Sequence, residues 1–239
     1  MKKKIFSILL LTVILLVGWN CISLMRHVNR GESISHGTIR KGSIENAWLL
    51  EYSGNNFQYF SPFSYYVMTN AFVHSRVYHT LHMALATCEH TAPGIQYRIM
   101  ECGNKEGGKM LLHYTHQNGL SVDIMSPKMK KGVPDGTWDQ MGLLHYLLNF
   151  NPDGKLNLSK QVEIDFESLA NLLVAIDDAA KKNSLRIRNI IYRDYLQDNL
   201  LNTRAGRSFK NRGIQFWQTS NSSINKMHDD HVHVNFDLI

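Results

Sequence analysis

Two segments of the chain set histidine and aspartate between alternating aliphatic residues, and this pattern restricts the possible fold more than any other feature of the sequence. The first segment runs from His113 to Met125, and the second runs from His228 to Phe236. Successive side chains of a β-strand point to opposite faces of its sheet. The alternation therefore predicts two strands that each bury an aliphatic face and present polar side chains on the other.

The polar faces carry the residues of chemical interest. Asp123 lies on the polar face of the first strand, and His231 and His233 lie together on that of the second. Asn118-Gly119 is a strong turn dipeptide, and such a turn lets His116 fold back toward Asp123. The opposite, aliphatic faces are formed by Leu120, Val122 and Ile124 in the first strand and by Val232, Val234 and Phe236 in the second.

Imidazole and carboxylate groups are the ligand types that proteins use for zinc. Three protein ligands with a fourth position left for water form a catalytic site, whereas a structural site is closed by four. The H-E-x-x-H arrangement, in which a glutamate acts as the base, is absent from the last strand. His231, beside His233 on the same face, is therefore the best candidate to accept a proton from water or to stabilise an oxyanion. Asp229 and Asp230 either orient a histidine or form a solvated turn.

The N-terminus is typical of an export signal. Lys2, Lys3 and Lys4 precede an apolar run that starts at Ile5 and continues weakly to Met25, and this pattern directs export with the lysines left in the cytoplasm. The run of about 21 residues is close to the length that spans a bilayer. We expect an uncleaved anchor in residues 1–26, with a cleaved signal peptide as the alternative. Residues 27–239 are expected to form one domain in the periplasm, with the membrane contacted only through residues 5–25.

The charge distribution argues against nucleic acid as a partner. The chain has 26 basic and 20 acidic residues, a net charge of +6. Residues 1–26 hold four of the basic residues and none of the acidic ones, so the rest of the chain is nearly balanced, with 22 basic residues against 20 acidic. No basic run occurs there, and a nucleic-acid interface needs one.

Hydrophobic periodicity predicts a mixture of helices and strands. Hydrophobic residues make up 44% of the chain, enough for a substantial core. The elements do not alternate as regular βαβ units, which favours an α+β fold with an antiparallel sheet and flanking helices. We predict helices over 64–86 and 166–181, the second capped by Asp165, strands over 95–100, 120–125, 187–192 and 231–236, and a loop over 128–154 with a short helix at 141–148.

The remaining cysteines and histidines receive simpler interpretations. Cys88 and Cys102 form a disulfide in an oxidising compartment or stay as two unpaired thiols, and neither state has a functional role. His79 and His82 lie three residues apart on the predicted helix, where a solvated or half-buried face is the expected environment. The same environment is expected for His74, His90 and His145.

Together the two segments resemble a known family. The stretch H-x-T-H-Q-x-G-L-x-V-D from His113 and the terminal H-D-D-H-x-H from His228 are similar to motifs of the penicillin-insensitive murein endopeptidases. These are zinc peptidases of the clan that includes lysostaphin-like and D-Ala-D-Ala metallopeptidases. The resemblance extends from about His113 to the C-terminus. Residues 128–155 and 219–226 depart from the family pattern, which affects the substrate subsite more than the metal.

The resemblance implies a fold, a cofactor and a set of roles. The fold would be like that of Hedgehog and the DD-peptidases, with a zinc site on one face of the sheet. One Zn²⁺ would be bound by His116, Asp123 and His233. His231 would be the catalytic histidine, and the accessory residues would be His113 and His228, with Asp230 as an orienting carboxylate.

The implied reaction is hydrolysis of peptide cross-links in peptidoglycan, typically between D-alanine and meso-diaminopimelate. Two alternatives share the fold. One is a non-catalytic module that binds the cell wall or regulates other hydrolases, and the other is a carboxypeptidase that removes terminal D-alanine. The sequence makes no prediction of oligomeric state.

Overall fold

The computed structural model describes residues 2–111, 113–217 and 222–239. Its α-helices are α1 Lys2–Met25, α2 Ser75–Thr91, α3 Phe166–Lys182, α4 Asp194–Asn202, α5 Arg204–Lys210 and α6 Ser222–Lys226. Its strands are β1 Ile34–Thr38, β2 Lys41–Glu45, β3 Trp48–Leu49, β4 Phe57–Tyr59, β5 Phe72–Val73, β6 Tyr97–Ile99, β7 Ser121–Met125, β8 Lys128–Lys130, β9 Val133–Pro134, β10 Lys155–Leu156, β11 Ser159–Ile164, β12 Leu185–Ile191 and β13 His231–Leu238. A π-helix spans Phe63–Val67, and 3-10 helices span Thr137–Gln140 and Gly142–Leu147. The α+β class is confirmed.

A five-stranded sheet in the order β12-β13-β7-β6-β4 carries the two histidine-rich segments at its centre. All of its pairings are antiparallel except β4 with β6. The predicted strands 120–125 and 231–236 correspond to β7 and β13, which are direct neighbours. Their register places His233 opposite Asp123 and His231 opposite Met125, so the two polar faces form one continuous surface.

The aliphatic face of this sheet is covered by helices. Val122, Ile124, Val232 and Val234 are fully buried, and the hydroxyl of Tyr97 on the same face donates to the Ser168 carbonyl of α3 at 3.0 Å. Helix α3 begins as predicted, because the Asp165 carboxylate accepts a hydrogen bond from the Ser168 backbone amide at 3.0 Å and so caps the helix.

Smaller antiparallel sheets surround the central one. Strands β10-β11-β8-β9 form a four-stranded sheet, β1 and β2 form a hairpin, and β3 pairs with β5. The region predicted as a loop over 128–154 therefore contains the strands β8 and β9, which belong to this four-stranded sheet. The short helix expected at 141–148 is instead a 3-10 helix, Gly142–Leu147.

The helix predicted over 64–86 begins later than expected. Residues 63–67 form a π-helix, residues 72–73 form β5, and α2 starts only at Ser75 and continues to Thr91. Thr69 adopts a positive φ of 57°, a left-handed conformation that interrupts a right-handed helix. The apolar spacing before Ser75 thus reflects core packing and not a single helix.

The N-terminal segment is helical over α1. In the part of the chain that the structure describes, no helix combines the length and the apolar character needed to cross a membrane. The three cysteines are free thiols, and Cys88 and Cys102 are both buried. Of the two alternatives for that pair, unpaired thiols are observed.

Candidate metal centre

The Asp123 carboxylate lies between two histidines. Its Oδ1 is 2.6 Å from Nδ1 of His233, and its Oδ2 is 3.3 Å from Nε2 of His116. Burial alone opposes ionisation of Asp123, but the neighbouring imidazoles of His116 and His233 outweigh it and hold the pKa of the carboxyl well below its usual range. The three residues that the family resemblance implies as ligands are therefore neighbours around one buried carboxylate.

A tight turn brings His116 to this place. His116 has a φ of +72° and Gly119 a φ of +75°, so the chain reverses direction through two left-handed positions. A Cβ at Gly119 would lie 2.4 Å from the Ile44 side chain and 2.9 Å from the His74 backbone nitrogen. Only glycine fits there, and the predicted folding back of His116 toward Asp123 is observed.

His116 is the strongest indication that a cation belongs here. Its side chain is completely buried, and neither ring nitrogen has a hydrogen-bond partner among the described residues. Burying polar groups without partners is costly. Burial also lowers the pKa of His116, so the imidazole is neutral and has a lone pair to offer. A neutral imidazole and a carboxylate are ligand types that proteins use for zinc, so His116 beside Asp123 suits the role of a metal ligand.

The orientation of His233 is fixed from behind. Its Nε2 lies 2.8 Å from Oδ1 of Asn235, and that oxygen also accepts a hydrogen bond from the Ser121 hydroxyl at 2.7 Å. The Asn235 amide nitrogen donates to Asn189 at 2.8 Å, so Asn235 presents its oxygen to His233. Nε2 of His233 must then carry the proton, which leaves Nδ1 with the lone pair that faces Asp123. A lone pair held 2.6 Å from a carboxylate requires a proton or a cation between them.

His113 also belongs to the cluster. Its Nδ1 lies 3.7 Å from Oδ2 of Asp123. The group whose ligand atoms all lie within 4.8 Å of one another is His113, His116 and Asp123, and His233 adjoins it through the other oxygen of Asp123. Burial and the neighbouring His116 lower the pKa of His113 to about 3, so it too is neutral. The structure therefore places His113, expected only as an accessory residue, in the group that could hold a metal ion, with His233 beside that group.

A second cluster adjoins the first and includes a residue that the sequence did not indicate. The Asp230 carboxylate contacts two histidines, with Oδ1 2.7 Å from Nδ1 of His231 and Oδ2 2.7 Å from Nδ1 of His145. All three residues are buried, so the half-buried or solvated environment expected for His145 is wrong. Burial alone would lower the pKa of His231, but the hydrogen bond and charge of Asp230 raise it to about 9.

His228 and Asp229 complete this side of the site. His228 has its ring centre 4.8 Å from that of His231, and its Nδ1 lies 2.6 Å from the Ile224 carbonyl. Burial and the charge of His231 lower the pKa of His228 to about 3. Asp229 is buried and accepts a hydrogen bond from the Phe150 amide at 3.3 Å. Neither Asp229 nor Asp230 lies in a solvated turn, the second alternative considered for them.

Glu101 lies beside Asp123 and was also not indicated by the sequence. Its backbone pairs with Asp123, whose amide donates to the Glu101 carbonyl at 3.0 Å. The side chain is 2% exposed, and its Oε2 has no hydrogen-bond partner among the described residues. Burial and the charge of Asp123 raise the pKa of Glu101 to about 8. The carboxyl is therefore protonated at neutral pH.

The other histidines lie away from the two clusters. His74 is buried and caps α2, because its Nδ1 accepts a hydrogen bond from the Arg76 amide at 3.1 Å. This differs from the solvated or half-buried helix face expected for it. His82 pairs with Glu51 at 2.8 Å on an exposed surface, and the ring of His79 contacts Trp48.

Comparisons with known proteins add no relative to this description. No family model matches the chain, and no curated protein matches it. The candidate centre is thus characterised by its own geometry. A turn brings the buried, neutral His116 to the Asp123 carboxylate, and the pairing of β13 with β7 brings His233 to the same carboxylate.

Proposed function

We propose that the protein is a zinc-dependent murein endopeptidase that hydrolyses peptide cross-links of peptidoglycan. The observation that carries the proposal is the convergence of His116, Asp123 and His233, with both ring nitrogens of His116 buried and without a hydrogen-bond partner in the part of the chain that the structure describes. The two motifs that supply these residues resemble those of that peptidase family, whose Hedgehog-like and DD-peptidase-like fold we propose for this chain.

The proposed zinc ligands are His116, Asp123 and His233, with His113 beside them. Bound zinc would lower the pKa of a coordinated water to near 7 and would polarise a carbonyl group. Asn235 fixes the tautomer and ring orientation of His233, since its oxygen accepts the Nε2 proton. Glu101 is protonated at neutral pH, so it adds no second negative charge beside Asp123.

His231 is the proposed acid and base. It lies on the same sheet face as His233, two residues away, and its Nδ1 is held by Asp230. Nε2 is therefore the ring nitrogen left for exchanging a proton with water and then with the departing amine. The charge of Asp230 favours the protonated imidazole, which suits delivery of a proton to the amine and stabilisation of an oxyanion.

The proposed substrate and location follow from the motif resemblance and the N-terminal segment. Peptidoglycan cross-links lie outside the inner membrane, where an export signal in residues 1–26 would deliver the chain. The anchor proposed for residues 5–25 would keep residues 27–239 within reach of the cell wall.

A digest of purified cross-linked murein tests the proposal. The zinc-loaded protein and an Asp123→Asn control are incubated with murein, and the soluble fragments are identified by mass spectrometry. We expect dimeric muropeptides to disappear with wild type only, with terminal D-alanine retained. Release of terminal D-alanine with dimers intact would identify a carboxypeptidase instead. Intact dimers together with cosedimentation of the protein and murein would identify a binding module.

A further inference from the structure

We propose that His145 is a positioning residue that holds Asp230 and, through it, sets the orientation of His231. This inference rests on the proposed function, in which His231 transfers the proton. His145 lies in the 3-10 helix Gly142–Leu147, far from His231 in the sequence, yet its imidazole reaches the same carboxylate.

The three side chains form a symmetric hydrogen-bonded bridge. The two oxygens of Asp230 each contact one imidazole Nδ1, and both distances are 2.7 Å. The Asp230 side chain is 2% exposed and that of His145 is fully buried. Hydrogen bonds to a charged acceptor in such a site are stronger than those between neutral groups. The bridge therefore fixes the rotation of the carboxylate as well as its position.

The proton positions follow from the partners that are present. A carboxylate can only accept, so Nδ1 of each histidine donates to Asp230. Nε2 of His145 is buried and has no hydrogen-bond partner among the described residues, so Nδ1 is the nitrogen through which His145 bonds to Asp230. His145 thus supplies one donor and leaves the other oxygen of Asp230 to His231.

The cluster fits a hydrogen-bond relay better than a second metal site. His145, Asp230 and His231 have ligand atoms close enough for an ion, but each of the two Nδ1 atoms already has a carboxylate partner at 2.7 Å. At His116, by contrast, both ring nitrogens lack a hydrogen-bond partner within the described ranges. A metal would satisfy the unpartnered nitrogens of His116, whereas in the second cluster both oxygens of Asp230 already have an imidazole partner.

The surroundings of His145 explain why a short segment can hold it. The neighbouring Leu144 and Leu147 are exposed at 59% and 57%, while the His145 side chain points inward. The ring of Phe60 packs against it edge-on, with ring centres 5.5 Å apart. One inward side chain therefore connects the outer segment 142–147 to the proposed catalytic histidine.

Three variants separate positioning from simple stability. His145→Leu keeps the side-chain volume and removes the donor. His145→Asn places an amide nitrogen near the position of Nδ1 and retains the donor. Leu148→Ala, at the end of the same 3-10 helix, removes a buried side chain (1% exposed) without touching Asp230 and controls for loss of packing.

Kinetics on soluble cross-linked muropeptide dimers give the first readout. We expect His145→Leu to lower kcat by about 10- to 100-fold, the range seen when residues behind a reactive group are removed, with KM within about twofold and bound zinc unchanged. His145→Asn should recover most of kcat, and Leu148→Ala should lower the melting temperature without lowering kcat. Equal kcat values for His145→Leu and Leu148→Ala would overturn the proposal.

A spectroscopic readout is independent of activity. In zinc-free protein labelled with ¹⁵N-histidine, we expect two downfield Nδ1–H resonances from the bridge. His145→Leu should remove one and shift the other, assigned to His231 by its absence in His231→Gln. If wild type does not cleave the dimers but these shifts occur, the peptidase proposal fails and the bridge stands. An unmoved His231 resonance in His145→Leu would refute the bridge whatever the activity.

Discussion

Nδ1 of His233 lies 2.6 Å from Oδ1 of Asp123, its direct partner across β13 and β7. The pairing register alone therefore brings together two ligand candidates that are distant in the chain. A slip of one residue would send His233 to the aliphatic face and Val232 to the polar one. Burial of the valines on the opposite face stabilises that register. One register therefore satisfies both the apolar core and the candidate metal centre.

Metal content should distinguish ligands from the catalytic histidine. We expect His116→Ala, Asp123→Asn and His233→Ala each to lose bound zinc and murein cleavage together, because each removes one of three ligands. His231→Ala should keep zinc at wild-type stoichiometry and lower the rate by about 10²- to 10⁴-fold, the usual contribution of an acid or base. Zinc is measured by mass spectrometry after dialysis. Equal zinc losses in His231→Ala and His233→Ala would contradict the assigned roles.

His113 provides the matched test for the choice of ligands. Its Nδ1 is 3.7 Å from Asp123, and it is the most exposed member of the cluster. We expect His113→Gln to retain zinc while His233→Ala loses it, because only His233 has its second nitrogen fixed by Asn235. The reverse outcome would make His113 the third ligand.

Asn235 should contribute to zinc affinity without touching the metal. Asn235→Ala removes the acceptor for Nε2 of His233 and frees the ring to rotate, so we expect zinc affinity to fall by about 10- to 100-fold. Asn189→Ala removes only the outer bond to Asn235 and should have a smaller effect. Competition with a chromophoric chelator measures both constants, and unchanged affinity in Asn235→Ala would show that the ring is held by other contacts.

Two glycines with positive φ separate backbone strain from crowding. At Gly94, with a φ of +82°, an added Cβ has no neighbour within 4 Å, whereas at Gly119 it meets the Ile44 side chain at 2.4 Å. We expect Gly94→Ala to cost about 1 kcal/mol of unfolding free energy from strain alone. Gly119→Ala should cost at least about 3 kcal/mol and also weaken zinc binding, because the turn that carries His116 must shift. Urea unfolding monitored by circular dichroism measures the difference, and equal costs at the two positions would contradict it.

Glu101 should give the zinc-free protein a distinctive pH dependence. Its pKa is about 8 in the folded protein and near 4.5 when unfolded, so between these values the folded state binds more protons. The free energy of unfolding should therefore decrease as pH rises from about 4.5 to 8, by about 5 kcal/mol at most from this group.

Glu101→Gln removes that contribution. The variant and wild type should have similar stabilities near pH 4.5, and the variant should be the more stable protein above pH 8. Unfolding curves in urea across this range, recorded with chelator present, measure the difference between the two proteins. Parallel pH profiles would show that the Glu101 carboxyl ionises without cost.

The strands that carry the site could be predicted because their periodicity is local. Alternation in β7 and β13 assigned Asp123, His231 and His233 to one surface, and the Asn118-Gly119 dipeptide located the turn after His116. These signals depend on neighbouring residues only, so they can be read directly from the sequence.

The residues that were missed depend on contacts between distant parts of the chain. His145 lies in a 3-10 helix without a clear hydrophobic period, and its partner Asp230 is in the C-terminal segment. Glu101 follows the short strand β6, and nothing in the local sequence shows that it lies beside Asp123. The helix predicted from residue 64 was wrong at its start for a related reason, because tertiary packing of the aromatic segment produces apolar spacing that resembles a helix.

The hairpin β1–β2 has a consequence for the loop that carries His116. The Ser35 hydroxyl donates to the Asn118 carbonyl at 2.6 Å, the Gln117 amide donates to the Ile39 carbonyl at 3.1 Å, and Ile44 packs against Gly119. Because these contacts are made to residues 117–119, a substitution that displaced the hairpin would move the loop that carries His116 as well.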